Sequence, residues 1–453
     1  MDVIKGIMSL KIVNAKLWLD TGTYEGGLVT ENGAVSKIGK ETSLPQTEVT
    51  IDAEGKLVIP GLVDLHVHFR EPGFTQKEDF STGTRAAAAG GVTTVLDEPN
   101  NNPVTSSTEA LRAKKVLVKE KAYVDYLFEM AVYAEGLDEV QAASSMGINT
   151  FAFFDELGGT STGMDDTGVL YEALKRVKMV DGLALLNCRE SDLVIATMRK
   201  TREKGSDNLM DYNNHFPHVA ESAGGAKRIL LAHNVGARAH FREVSTAKTV
   251  EMLRHLKPYR RDISAEVRPD HLVLNHENTS DLGPYAQQWT PIRTRQNQES
   301  LWGALNDGTV NIMASDHATH TVEEKNSGWE NIWESPPGLP AIESMLPILL
   351  TAVKEGKTSL ERVISATTAN PARRLGLYPR KGCIAVGSDA DLVVIDTKKE
   401  KKITADEMYA KSKWTPYEGW TTLGAVEATI LRGVPVYQQG KIVSEALGQF
   451  IFG

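Results

Sequence analysis

Cysteine is almost missing from this 453-residue sequence, with Cys188 and Cys383 its two thiols. Two cysteines make no disulfide framework and cannot by themselves complete a structural zinc site, so a reducing cytoplasm is the expected compartment. Long apolar runs are missing as well. The longest, Met345–Val353, falls short of the about 20 residues that span a bilayer, and the opening MDVIKGIMSLKIVN has no signal-peptide core. Neither secretion nor membrane insertion is expected. Basic charge is not in excess: 50 Lys and Arg against 59 Asp and Glu leave a net charge of −9. That balance speaks against nucleic acid and other polyanions and makes a small molecule the expected partner. Glycine (38) and proline (18) are too sparse for a disordered or collagen-like chain, and 41% hydrophobic with 24% charged residues is ordinary for a globular one.

What is there divides into two textures. Short, Gly-punctuated β-type runs fill the stretch from Leu10 to Val58 and return at 389–396 and 426–443, whereas residues 60–375 alternate apolar strands with amphipathic helices. Eight strand candidates stand out in that body: VDLHVHF, GVTTVLD, YVDYLFEMAVY, INTFAFF, GLALLN, RAHFRE, DISAEV and NIMASD. Helices are expected between them, for instance over 104–120, 166–178 and 245–256. Eight strands with helical crossovers in about 300 residues match a (β/α)8 barrel, with a doubly wound open sheet as the alternative that periodicity does not exclude. The expected domains are 1–58 and 379–453, together a small β-sandwich, around a barrel at 59–378.

The sharpest local feature is Asp64-Leu65-His66-Val67-His68-Phe69-Arg70-Glu71-Pro72-Gly73. Histidines at i and i+2 of a strand face one way and can share a divalent ion, although a lone His-x-His is equally served by backbone partners. Gly158-Gly159-Thr160-Ser161-Thr162-Gly163 lacks the Lys-Ser/Thr ending of a phosphate loop and is expected to be a mobile loop near the site. A Trp-rich stretch, Gly328–Trp333, could cover the barrel mouth or make a subunit contact.

VDLHVHFREPG, followed in order by DEPNNNP, AEVRPDHLVL, TPIR and ASDHATH, resembles the cyclic amidohydrolases, dihydroorotases most closely, over nearly the whole chain. The resemblance implies a barrel with a composite sandwich and hydrolysis of a cyclic amide or imide C–N bond by a water that a divalent ion activates. Asp316 matches the family aspartate that ligates metal and serves as general base and acid; the alternative is a turn or helix cap. His66 and His68 match metal ligands. On the fourth strand most relatives carry a carboxylated lysine, but this chain has Phe151-Ala152-Phe153-Phe154-Asp155-Glu156, and Asp155 matches the aspartate that a subset uses instead. Asn187 and Glu243 stand where the family has histidines of a second, more exposed ion. His240 lies three residues before Glu243, on the opposite face of a straight strand, as core or support.

The expectation that follows is one ion per chain, held by His66, His68, Asp316 and either Asp155 or Glu243. Zinc is the expected ion, and manganese or iron would also suit two imidazoles with carboxylates. A second ion on Glu243 and Asn187 oxygens is the alternative. Arg70, Asn100 and His320 match the residues that hold a substrate carboxylate, although Arg70 could instead pair internally with Asp97 or Glu98. Trp289 replaces the asparagine that reads the ring, and Asp270 adds a carboxylate, which together suggest a different and still anionic ring. The competing functions are hydantoinase or allantoinase activity and a non-catalytic paralogue. The resemblance also implies a homodimer or homotetramer.

Overall fold

The computed structural model describes residues 9–154, 163–205, 207–256 and 262–452. Eight parallel strand positions follow one another in the body of the chain. They are Leu62–His68, Val92–Asp97, Asp125–Phe128 continued by Met130–Ala131, Thr150–Phe153, Leu183–Asn187, Arg238–Arg242, Ile263–Val267, and Ile312–Met313 continued by His317–Ala318. Each pairs in parallel with its neighbour, and the last closes on the first through His317↔Val67 and Ala318↔His68. Closure is the feature that periodicity left open, and it makes this a (β/α)8 barrel. The expected helices are present as Thr108–Val118, Thr167–Met179 and Ala247–His255. Side chains of Ser107, Asp166 and Thr246 cap their first turns, accepting from backbone N–H groups that have no partner inside the helix.

Alternation along the strands sorts the barrel into layers. Ala239, Phe241, Ile263, Ala265 and Val267 face outward into the main core beneath the helices. Inside, Val63, Leu65, Leu96, Leu183, Leu185, Ile312 and Ala314 form an apolar floor, sealed from below by Ala372 and Leu375. Above that floor, at the carboxyl ends, the inward positions turn polar: His240 and Arg242 on the sixth strand, Ser264 and Glu266 on the seventh, then Arg268. The carboxyl end is where such barrels place their chemistry.

Strands from both chain ends share one nine-stranded sheet. Ser9–Leu19 lies in parallel beside Leu57–Pro60, which pairs antiparallel with Leu392–Lys402. Leu10, Ile12, Leu17 and Val58 pack with Leu392, Val394 and Ile430 in a single core. Pairing runs continuously through this unit, and register shifts at Ile12/Ala15, Val394/Ile395 and Asp396/Glu400 bend the strands.

The sheet is bolted to the barrel by buried charge. Lys381 Nζ lies 2.8 Å from Asp125 on the third barrel strand and 3.1 Å from Asp389, and it also binds Asp391. Arg432 on the sheet binds Asp125 as well. The three aspartates come close enough together to suggest a metal site, but Lys381 already supplies the cation. No helix among the described residues is long and apolar enough to cross a membrane.

Candidate metal centre and substrate cavity

His66 and His68 reach the barrel mouth through a defect in their strand. Asp64 pairs with Val95 but Val67 with Asp97, so the first strand carries one extra residue between those pairs. Such bulges re-aim side chains beside active sites. Asp64, wholly buried, accepts the N–H groups of His66 and Ser315 and so ties the first strand to the eighth just below the site. Asp316 then turns inward with φ 48°. Arg70 (φ 61°) and Glu243 (φ 57°) are left-handed too, a conformation that costs a non-glycine residue free energy and tends to gather where function requires it.

The result is one compact group. His66 Nε2 and His68 Nε2 lie 3.3 and 3.0 Å from the same oxygen, Asp316 Oδ1. Each ring is set by its other nitrogen: His66 Nδ1 donates to Glu266 Oε1 at 2.6 Å, and His68 Nδ1 donates to Asn100 Oδ1 at 2.9 Å. Glu266 is itself fixed by His240 Nε2 at 2.8 Å, and His240 Nδ1 meets Ser264 Oγ at 2.8 Å. A carboxylate behind a ligating imidazole holds the tautomer and raises the basicity of the free nitrogen. Glu266→Gln is therefore expected to weaken metal binding about 10–100-fold. Competition with a chromophoric chelator measures this, and an unchanged affinity would leave Glu266 a purely structural role.

Burial opposes charge on His66, yet the carboxylates of Asp316 and Glu266 outweigh it and hold the imidazole up to about 10. Burial likewise opposes ionisation of Asp316, but His66 and Arg268 keep it far below the carboxylate range. Glu98, Glu129, Glu266, Glu243, Asp270 and Asp316 are all buried here, with Arg242 and Arg268 as the guanidiniums among them. Arg242 is shared between Glu98 and Glu129. Glu98 Oε1 lies 3.4 Å from His66 Nε2, and its Oε2 is buried with no hydrogen-bond partner. Six acids, which outnumber these guanidiniums even with the cavity residues Arg70 and Arg189 added, an orphaned carboxylate oxygen and two oriented imidazole nitrogens together fit a divalent cation.

Beside this group opens a cavity of about 390 Å³, lined by His66, His68, Asp316, Arg70, Asn100, His320, Trp289, Lys77, Phe74 and Phe154 among others. Arg70 does not pair internally: Asp97 binds Lys114 at 2.5 Å, and Glu98 binds Arg242. Arg70 is 9% exposed, its Nε has no partner, and it makes no ion pair among the described residues. His320 sits against it, Nε2 being 3.2 Å from Arg70 Nη2 and 3.0 Å from the Pro337 carbonyl oxygen, while Nδ1 accepts from Lys77 at 3.2 Å. Burial, with Arg70 next, lowers His320 to about 3, so it serves as a neutral imidazole.

Of the residues expected at the site, the structure brings together His66, His68 and Asp316, with Arg70, Asn100, His320 and Trp289 on the same cavity. Asp155 and the Gly158–Thr162 part of the glycine-rich loop lie outside the described residues. Glu243 lines the cavity but stands apart from the three-residue group, its oxygens taken by Asn187 Nδ2 (2.9 Å) and Arg268 Nη1 (3.2 Å). Asp270 adds no free carboxylate: it is fully buried and forked by Arg268 at 3.1 and 2.8 Å. The Trp-rich stretch packs to one side, Trp333 against Tyr212 and Trp329 against Gly283, and Pro336–Gly338 reach the cavity instead. Sequence reasoning missed Glu98, Arg242, Glu266 and Arg268. The signal for Glu266 and Arg268 was the period-two polar series Ser264, Glu266, Arg268 between apolar neighbours, which has no place in a dry barrel interior.

The amidohydrolase family profile matches residues 57–436, and the chain belongs to that family. It is 31% identical to a dihydroorotase of Methanosarcina acetivorans over 98% of this chain and 95% of that protein. It is 28% identical to an L-hydantoinase of Paenarthrobacter aurescens, with 97% of each chain covered. Among solved structures, the L-hydantoinase (dihydropyrimidinase) of Arthrobacter aurescens superposes with a TM-score of 0.93 at 28% identity, covering 98% of this chain and 99% of that one.

Proposed function

We propose that the chain hydrolyses a cyclic amide or imide C–N bond in the manner of a dihydroorotase, on a ring that carries a carboxylate, with one divalent ion, zinc by preference, per chain. The observation that carries the anionic ring is Arg70, a buried guanidinium without an internal counter-ion on the cavity that also holds His66, His68 and Asp316. An unpaired buried charge is costly, and a substrate carboxylate would relieve it through a bidentate contact. His66, His68 and Asp316 would hold the ion, with Glu98 adjacent. Such an ion polarises a ring carbonyl and lowers the pKa of water toward 7.

The chain's own residues supply the rest. Asn100 and Glu266 keep the imidazole Nε2 atoms turned toward Asp316. Asp316 takes the proton from the attacking water and returns it to the ring nitrogen as the C–N bond opens. Arg70 and neutral His320 orient the ring by its carboxylate, and the exposed edge of Trp289 limits its size.

A hydantoinase-type reading has one observation in its favour: Phe74, Phe154 and Trp289 give the cavity aromatic lining suited to a hydantoin with a bulky substituent. The test is a panel of cyclic ureides, with and without a ring carboxylate, offered to the metal-loaded protein. Preference for the carboxylated members is expected, with Arg70→Met raising their KM about 100-fold, in line with loss of a buried charge pair. Faster turnover of neutral, aryl-substituted hydantoins, untouched by Arg70→Met, would replace the first reading with the second.

A further inference from the structure

We infer that Arg268 is a built-in cation of this centre, its guanidinium filling the place between Asp316 and Glu243 that a second metal ion would need. The inference rests on the metal-dependent reading above and deepens it.

The geometry is specific. Arg268 follows the seventh barrel strand, on the inward side with Ser264 and Glu266, and is fully buried. Its Nε and Nη2 fork the carboxylate of Asp270 at 3.1 and 2.8 Å, and Nη2 also lies 3.3 Å from the Thr290 carbonyl oxygen. That bidentate clamp fixes the plane of the guanidinium and leaves Nη1 projecting between two further acids. Nη1 donates to Asp316 Oδ2 at 2.6 Å and to Glu243 Oε2 at 3.2 Å. Asn187 closes the far side by donating its amide N–H to Glu243 Oε1.

Among the described residues, the oxygens of Asp316 and Glu243 that face this place are therefore already bound by donors. Three acids converge on one permanent positive charge, which offsets part of their negative charge without an ion. A divalent cation beside a fixed guanidinium would meet direct repulsion in a site shielded from water. The two oxygens of Asp316 are thereby given different tasks. Oδ1 faces His66 and His68, while Oδ2 is pinned by Arg268, so the aspartate cannot swing away from the imidazoles. Arg268 is a positioning residue, acting through Asp316.

Metal stoichiometry tests this independently of turnover. The full-length protein, stripped with chelator and titrated with zinc and with manganese, is expected to saturate at one ion per chain by elemental analysis and calorimetry. Arg268→Lys, which keeps the charge, should also stop at one. Arg268→Met, similar in volume and without charge, should admit a second ion through the freed oxygens of Asp316 and Glu243. Glu243→Gln should leave the single ion's affinity within about twofold, because Glu243 faces Arg268 rather than the ion. Two ions on the wild type, none at all, or a large loss of affinity in Glu243→Gln each overturn the inference. So does a folded Arg268→Met that still takes one. Should Arg268→Met fail to fold, the wild-type count and Glu243→Gln still decide. A protein that binds one ion but opens no ring upholds the inference and sinks the proposed function.

Discussion

Asp316→Asn is expected to lower turnover about 10³-fold while leaving the circular dichroism spectrum and the elution volume unchanged. General acid–base groups contribute roughly 10²–10⁴-fold, and Asp316 is the acid that sits against both imidazoles. Asparagine keeps the shape and one acceptor oxygen for Arg268 but cannot carry the proton to the leaving nitrogen. On the proposed reading, in which Arg70 and His320 hold the ring, the loss should appear in kcat more than in KM. Wild-type turnover in Asp316→Asn would remove it from the mechanism.

Lys381→Met is expected to destabilise the protein by about 3–5 kcal/mol, the usual consequence of removing one partner from a buried ion cluster. Lys381 is 1% exposed and faces Asp125, Asp389 and Asp391 together. Burial opposes its charge, but Asp391 and Asp125 hold its ammonium well above the ordinary lysine range. Without it, the buried Asp125 and Asp391 repel one another across the seam between barrel and sheet, with the Arg432 guanidinium on Asp125 and only its backbone N–H on Asp391. Denaturant unfolding measures the loss. Pairing Lys381→Met with Asp391→Asn should recover part of it, and strictly additive losses would show that the cluster contributes nothing as a unit.

Much of the fold could be read from the sequence because it depends on local periodicity. Runs such as INTFAFF and GLALLN are apolar on both faces, as strands covered by helices outside and a packed floor inside must be. His66, His68 and Asp316 could be read because their spacing and the motif around them are local. Arg268 could not: Asp270 is its near neighbour in sequence, but Glu243 and Asp316 come from the ends of the flanking sixth and eighth strands, and only parallel pairing of the three strands brings them to one guanidinium. The bulge between Asp64 and Val67 was equally hidden, since an extra residue leaves no mark in a run that is apolar or histidine throughout. Glu98 was read as a potential partner of Arg70, and Arg242, from across the barrel, claims it instead.

The shared sheet has a consequence for how the chain is made. Leu57–Pro60 emerges from the ribosome before any barrel strand, but its antiparallel partner Leu392–Lys402 follows all of them. Until then its outer edge has no hydrogen-bonding partner, a situation that favours association with other chains. The amino-terminal strands cannot complete their sheet as they emerge, and the whole barrel must be translated first. Such long-range pairing slows folding and prolongs exposure to aggregation. Translation through Leu392–Lys402, rather than closure of the barrel, is then the step at which this edge of the nascent chain is covered.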